Sequence, residues 1–360
     1  MRGLIVALCW VLMVMSCAAR DRNTDERYLP KAQSGCLQGS YLQLLDYHSR
    51  WSNPEWRALF DNLIELRVES IVIQWSAFDQ RPFYRAAPVP SAPDMPLESI
   101  IRMADASAMR VMVGLSHDPA YWTRVGRPDK RVYLAERLRL NRQAANELRA
   151  IVVAHPSFAG WYISEEIDDV NWNAPADKLA LFDYLKELSN HLRKLTPTAR
   201  IGVSGFVNSR TDPHSLRDFW IDLFARAPAI DEVYFQDGVG VAKLTLAELP
   251  RYYSAMRDAT TAAGRELVPV VEALRQTAGP PISKGEFKAE PTTLRRLGDQ
   301  IGVANTYAAR HVVFGVPEYL TPAGGAPAAR LYQEYRDAMR ASGQACKTSN
   351  GKYLFDNTRK

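Results

Sequence analysis

From about Ser40 onward the chain alternates between short apolar runs and longer amphipathic segments. Eight runs rich in β-branched and aromatic residues read as strands: 41–47, 70–76, 110–116, 158–164, 200–206, 232–238, 267–273 and 311–317. They are largely apolar throughout rather than alternating, as expected of parallel strands covered on both faces. Between them, apolar residues recur at helical spacing. The first helix opens at Pro54 with Asn53 as its expected cap, and others are expected over Pro96–Ala108, Arg131–Ala154, Ala176–Leu195 and Pro213–Ala225. Three more are expected over Thr245–Ala263, Thr292–Ala309 and Pro327–Ala341, with Thr245 as a cap and Pro327 in a first turn. Strict strand–helix alternation, with no glycine-rich phosphate loop after any strand, predicts a single (β/α)8 TIM barrel over residues 38–343, with an open doubly wound sheet as the alternative. A tail, 344–360, follows.

Residues before the barrel follow a different pattern. Arg2 and the apolar stretch Leu4–Met15 form a short secretory signal, and Val14-Met15-Ser16-Cys17 resembles the lipobox of bacterial lipoproteins. The expectation is a signal over 1–16, lipidation of Cys17 and a polar tether over 17–37. A lipid anchor in the bacterial cell envelope follows, with Ala18 after Cys17 pointing to the outer membrane and the barrel in the periplasm or at the surface. An ordinary cleaved signal is the alternative. Of the four cysteines, the mature chain then keeps Cys36 and Cys346 at opposite ends of the domain, which in an oxidising compartment invites a disulfide, two free thiols being the other possibility.

Charge narrows the function classes. The 45 basic residues against 40 acidic ones are spread over helix faces, without a basic block or nucleic-acid module, so no nucleic-acid partner is expected. Six scattered histidines argue against a metal centre, and no cofactor is implied.

Two strands end in carboxylates. The run Phe158–Ile163 breaks into Glu165, Glu166, Asp168 and Asp169, and the run Leu267–Val271 closes on Glu272. At the C-terminal face of a barrel, two facing glutamates suit glycoside hydrolysis. Glu166 is the candidate acid/base, with Glu165 its rival while the register is unfixed; Glu272 is the candidate nucleophile, with an ion pair to Arg275 the bland alternative. Around them, the strand ends and following loops offer Gln43, Asp46, Gln74, Trp75, His117, Trp122, Trp172, Tyr234, Gln236, Asp237 and Tyr319 as polysaccharide contacts. Amides and carboxylates bind hydroxyls, and aromatic faces cover the C–H faces of pyranose rings. Gly238 and Gly240 read as a tight loop rather than a phosphate cradle.

The order LQLLDYHSRWSNPEWRALFDNL, VIQWS, GWYISEEIDD, YFQDGVG and VVEAL resembles a family of exported bacterial proteins, a domain of unknown function described as glycoside-hydrolase-like (β/α)8 barrels. The resemblance runs from about Gly39 to Ala341. The wider arrangement is similar to a large clan of retaining glycosidases with an acid/base glutamate after strand four and a nucleophile after strand seven. Matched onto this chain, those are Glu166 (or Glu165) and Glu272. The clan carries Asn before its acid/base residue; here Ser164 precedes Glu165, which leaves the usual contact to the sugar 2-hydroxyl unassigned. The expected function is therefore a retaining glycoside hydrolase acting on an envelope or extracellular polysaccharide. A non-catalytic, polysaccharide-binding accessory lipoprotein in glycan export or biofilm assembly is the alternative.

Overall fold

The computed structural model describes residues 36–86, 95–279 and 287–341. Eight parallel strands close into a barrel: β1 (Gly39–Leu42), β2 (Ser70–Ile73), β3 (Arg110–Gly114), β4 (Phe158–Ile167), β5 (Arg200–Gly205), β6 (Glu232–Gln236), β7 (Glu266–Glu272) and β8 (Val312–Phe314). Each pairs with its sequence neighbours and β8 returns to β1, so no edge is left open. The helices outside are α1 (Asn53–Glu65), α2 (Pro96–Ala106), α3 (Lys130–Val152), α4 (Pro175–Leu195), α5 (Pro213–Arg226), α6 (Leu249–Ala263), α7 (Leu294–Tyr307) and α8 (Ala326–Ala341). The expected (β/α)8 barrel is the observed one.

Two caps differ from expectation. Ser52, not Asn53, caps α1, because Ser52 and Glu55 form a reciprocal capping box. Thr245 likewise pairs with Glu248, but it closes a separate turn, and α6 starts at Leu249. Among the described residues no helix is long and apolar enough to cross a membrane. Cys17 and Cys346 lie outside the described residues, and with them the expected lipid anchor and disulfide.

The barrel interior is layered. Tyr41, Val72, Met112, Tyr162, Tyr234, Val268, Val270 and Val312 fill its middle. The rings of Tyr41, Tyr162 and Tyr234 meet edge to face with centroids 5.6–6.0 Å apart. This plug makes the interior a packed core rather than a channel. Below it, Arg200 and Arg310 each bridge Glu232 and Glu266. Tyr234 donates its hydroxyl to Glu232 at 2.6 Å, which places it in this stabilising floor, away from any ligand at the opposite face. Because side chains alternate along a strand, the residues two places after Tyr41, Val72 and Tyr234 (Gln43, Gln74 and Gln236) enter the layer above the plug.

Candidate active site at the C-terminal face

Strand β4 decides which glutamate faces the site. Its register against β5 jumps from Ile163–Val203 to Glu166–Ser204, leaving Ser164 and Glu165 as a two-residue bulge. Two residues are one full pleat, so the alternation that turns Tyr162 inward survives the bulge and turns Glu166 inward as well. Glu166 accepts from Gln236 Nε2 at 2.8 Å and from Gln74 Nε2 at 3.3 Å, and Gln43 Nε2 in turn donates to Gln74 Oε1 at 2.7 Å. Four strands thus contribute to one polar chain around Glu166.

Glu165 points the other way and is not available to a ligand. It is 2% exposed, and it receives Arg137 Nε at 2.9 Å, Asn141 Nδ2 at 3.0 Å and Tyr184 Oη at 2.7 Å, all from α3 and α4. Parity separates the two glutamates: Glu165 anchors the strand to its helices, and Glu166 faces the barrel interior.

Glu272 ends β7, three strands from β4 around the closed sheet. It is not paired with Arg275, which bonds Glu290 instead. Its Oε2 accepts from the amide of Val241 at 3.0 Å. That contact requires the chain to pass close by at Gly240, where a Cβ would lie 2.7 Å from Glu272 Oε2 and 2.5 Å from the Leu274 carbonyl. The positive φ of Gly238 (+61°) starts the same loop. Both glycines act through backbone geometry, as the sequence suggested.

Burial pushes the Glu166 carboxyl above the usual range, while Lys243 and the Gln236 amide pull it back. Burial also raises Glu272, and the nearby Asp237 raises it further against the pull of Lys243. Asp237 is raised by burial too, but it accepts from Gln300 Nε2 at 2.5 Å and Val239 N at 3.0 Å. It faces α7 rather than the rim, so it supports β6 and β7 instead of binding a hydroxyl. Glu318, after β8, has a buried oxygen that no described residue hydrogen-bonds, and it is pushed up by burial to about 7.

A folded-state pKa raised above the ordinary 4.5 means that Glu272 holds its proton more tightly folded than unfolded. That contribution to stability is complete below the unfolded value and disappears as pH rises through the folded one. Glu272→Gln keeps an acceptor for Val241 and removes this loss. The melting midpoint is expected to rise by about 3 °C at pH 8 and to be unchanged near pH 4. A shift of the same size at both pH values would mean that the buried charge is not its cause.

Lys243 is a candidate site residue that the sequence did not single out. It lies in the loop after β6, with Nζ 3.6 Å from the centroid of the Phe206 ring, and it faces the charges of Glu166, Glu272, Asp168 and Asp169. Burial lowers its pKa and these carboxylates raise it. Its only sequence signal is a lysine shortly after YFQDGVG, which is weak without the fold.

The remaining sequence candidates divide. Trp122 is 42% exposed, stands edge to face against Phe206, and is a usable aromatic platform at the rim. Trp172 is fully buried, with Lys130 over its ring, and Trp75 is buried with Nε1 donating to the Leu44 carbonyl; neither offers a face to sugar. His117 stacks on Trp75, and burial keeps it neutral to lower pH. Asp46 is exposed and paired with Arg81, and Tyr319 is half-buried beside Glu318. Among the described residues no group of three acidic, histidine or cysteine side chains is arranged to hold a metal ion.

A family model described as "Domain of unknown function (DUF4434)" matches residues 37–325. The chain belongs to the DUF4434 family. It is 26% identical over 238 residues to the uncharacterized protein YbcH of Escherichia coli (strain K12), covering 62% of this chain and 73% of YbcH. Among solved structures it is similar to a provisionally named alpha-L-fucosidase from Bacteroides thetaiotaomicron VPI-5482, with a TM-score of 0.70, 17% identity and coverage of 87% and 98% of the two chains. An endo-1,4-beta-mannanase from Rhizomucor miehei matches with a TM-score of 0.53 and 13% identity, covering 86% and 95%. At these identities the likeness is one of fold. The DUF4434 chain has the barrel architecture found in glycoside hydrolases.

Proposed function

We propose that this DUF4434 protein is a retaining glycoside hydrolase acting on an envelope or extracellular polysaccharide, held at the bacterial envelope by a lipid on Cys17. The observation that carries the reading is the placement of Glu166 and Glu272 at the ends of β4 and β7, both facing Lys243 across one rim. In the first step the Glu272 carboxylate attacks the anomeric carbon while Glu166 protonates the departing oxygen. The glycosyl–Glu272 ester is then hydrolysed by water that Glu166 deprotonates, which restores both groups. Gln236 and Gln74 fix the Glu166 carboxyl in place and leave its second oxygen for the leaving group. Trp122 supplies an aromatic face at the rim.

One observation favours exchanged roles: Glu272 is buried beside Asp237, whereas Glu166 receives two amide donors, so the resting proton sits more readily on Glu272. In that reading Glu272 protonates the leaving group and Glu166 attacks. The proposal is tested by incubating the protein with a panel of purified polysaccharides and following reducing-end release, with Glu166→Gln and Glu272→Gln as controls. Release lost in both variants supports it. Binding without release by the wild type would leave a non-catalytic glycan-binding barrel.

A further inference from the structure

Two adjoining cavities open along the loops that follow β4 and β5, one of them lined by Lys243. One, of about 580 Å³, is bounded by Asp169, Asn208, Arg210 and Lys243. The other, of about 380 Å³, is bounded by Asp169, Lys178, Phe206, Arg210 and Phe219. They share Asp169, Asn173 and Arg210.

The charges of these walls are used unequally. Asp169 accepts from the amides of Asn208, Arg210 and Thr211 at 2.7–3.0 Å. Asp212 caps α5 through His214 N and Ser215 N, and Asp168 takes both the amide and the side chain of Asn171. These carboxylates are satisfied by neutral donors of the fold itself. The cations are not used up in this way: among the described residues, Lys178, Arg210 and Lys243 have no carboxylate oxygen within ion-pair distance. Lys178 and Lys243 rest over the rings of Phe219 and Phe206, at 5.4 Å and 3.6 Å from the centroids. Around one pair of cavities the acceptors are thus already bonded, while Lys178 and Arg210 remain available and Lys243 sits in the field of Glu166, Glu272, Asp168 and Asp169.

Such a wall recognises an anionic group carried on a ring. A guanidinium presents paired donors to a carboxylate or sulfate, and ammonium groups add charge from the sides. We propose that these cavities are a subsite for the acidic residue of an anionic glycan, a uronate or a sulfate ester. The polymer's cleavage rests on the hydrolase reading above; its binding does not.

The test is calorimetric titration of the full chain carrying Glu272→Gln, which prevents turnover, with hexamers of galacturonate and mannuronate, a chondroitin sulfate hexasaccharide, and cellohexaose. Acidic oligosaccharides are expected to bind about tenfold tighter than cellohexaose in low salt, with the gap closing at about 0.5 M NaCl. Adding Lys178→Gln and Arg210→Gln should remove the preference for the acidic ligands and leave cellohexaose unchanged. Preference for the uronates or for the sulfated hexamer distinguishes the two sources of charge. Equal affinity for acidic and neutral hexamers, or binding of no acidic one, overturns the proposal. Uronate binding without cleavage by the wild type would overturn the hydrolase reading alone. Cleavage of an acidic glycan, unaffected by Lys178→Gln and Arg210→Gln, would overturn the anionic subsite alone.

Discussion

Removal of the Glu166 carboxyl is expected to slow hydrolysis of an unactivated glycoside by about 10²- to 10⁴-fold. The size of the loss should depend on the leaving group. A natural alcohol must be protonated as it departs, so Glu166→Ala loses both proton donation in the first step and water activation in the second. An aryl glycoside with an acidic phenol departs without help, so its first step should be nearly normal and the glycosyl–enzyme ester should accumulate as a burst of phenol. Azide needs no deprotonation and fits the space vacated by the side chain; it should restore turnover and give a glycosyl azide of retained configuration. Glu272→Ala is expected to lose both substrate classes alike, with azide giving the inverted product. If the two variants exchange these behaviours, the roles are exchanged as the proximity of Asp237 to Glu272 suggests. If azide rescues neither and residual activity is equal in both, a two-glutamate double displacement is wrong for this barrel.

The barrel was legible because its signals are local and repeated. Eight apolar runs and the helical segments that follow them need no long-range information, and α2 to α8 begin and end within a few residues of where periodicity and proline place them. The two strand-end carboxylates were legible for a related reason: an apolar strand that closes on a charge is conspicuous. What the chain did not reveal is set by geometry of one or two residues. Choosing Glu166 over Glu165 depends on a bulge at Ser164 and Glu165, which no composition signal marks. Trp172 and Tyr234 looked like rim contacts because they sit near strand ends, yet packing takes both out of reach. Lys243 was missed because its surroundings come from a loop that brings it to Phe206, 37 positions earlier in the chain, after the neighbouring strand. The cations Lys178 and Arg210 are unremarkable in a chain with 45 basic residues until the fold brings them to the walls of the same cavities.

Glu165→Gln is expected to destabilise the protein by about 3–5 kcal/mol, although Glu165 lies one residue from the candidate acid/base. The Arg137 guanidinium is buried, and among the described residues it bonds, besides Glu165, the Ser116 carbonyl and hydroxyl at 2.6 Å and 2.8 Å. The substituted amide would still accept from Asn141 and Tyr184, but the guanidinium charge would lose its counter-ion while remaining buried. The loss is read as a fall in the denaturant midpoint at unchanged slope. Converting the arginine as well, in Glu165→Gln with Arg137→Met, removes the stranded charge and should recover part of the loss, so the double variant is expected to be more stable than Glu165→Gln alone. Activity gives the contrasting readout. Glu165 acts through the seating of the β4 bulge, so the folded fraction of either variant should keep turnover within about tenfold of wild type, against 10²- to 10⁴-fold for Glu166. Wild-type stability with lost turnover in Glu165→Gln would show that β4 presents Glu165 to substrate and that the parity argument has chosen the wrong residue.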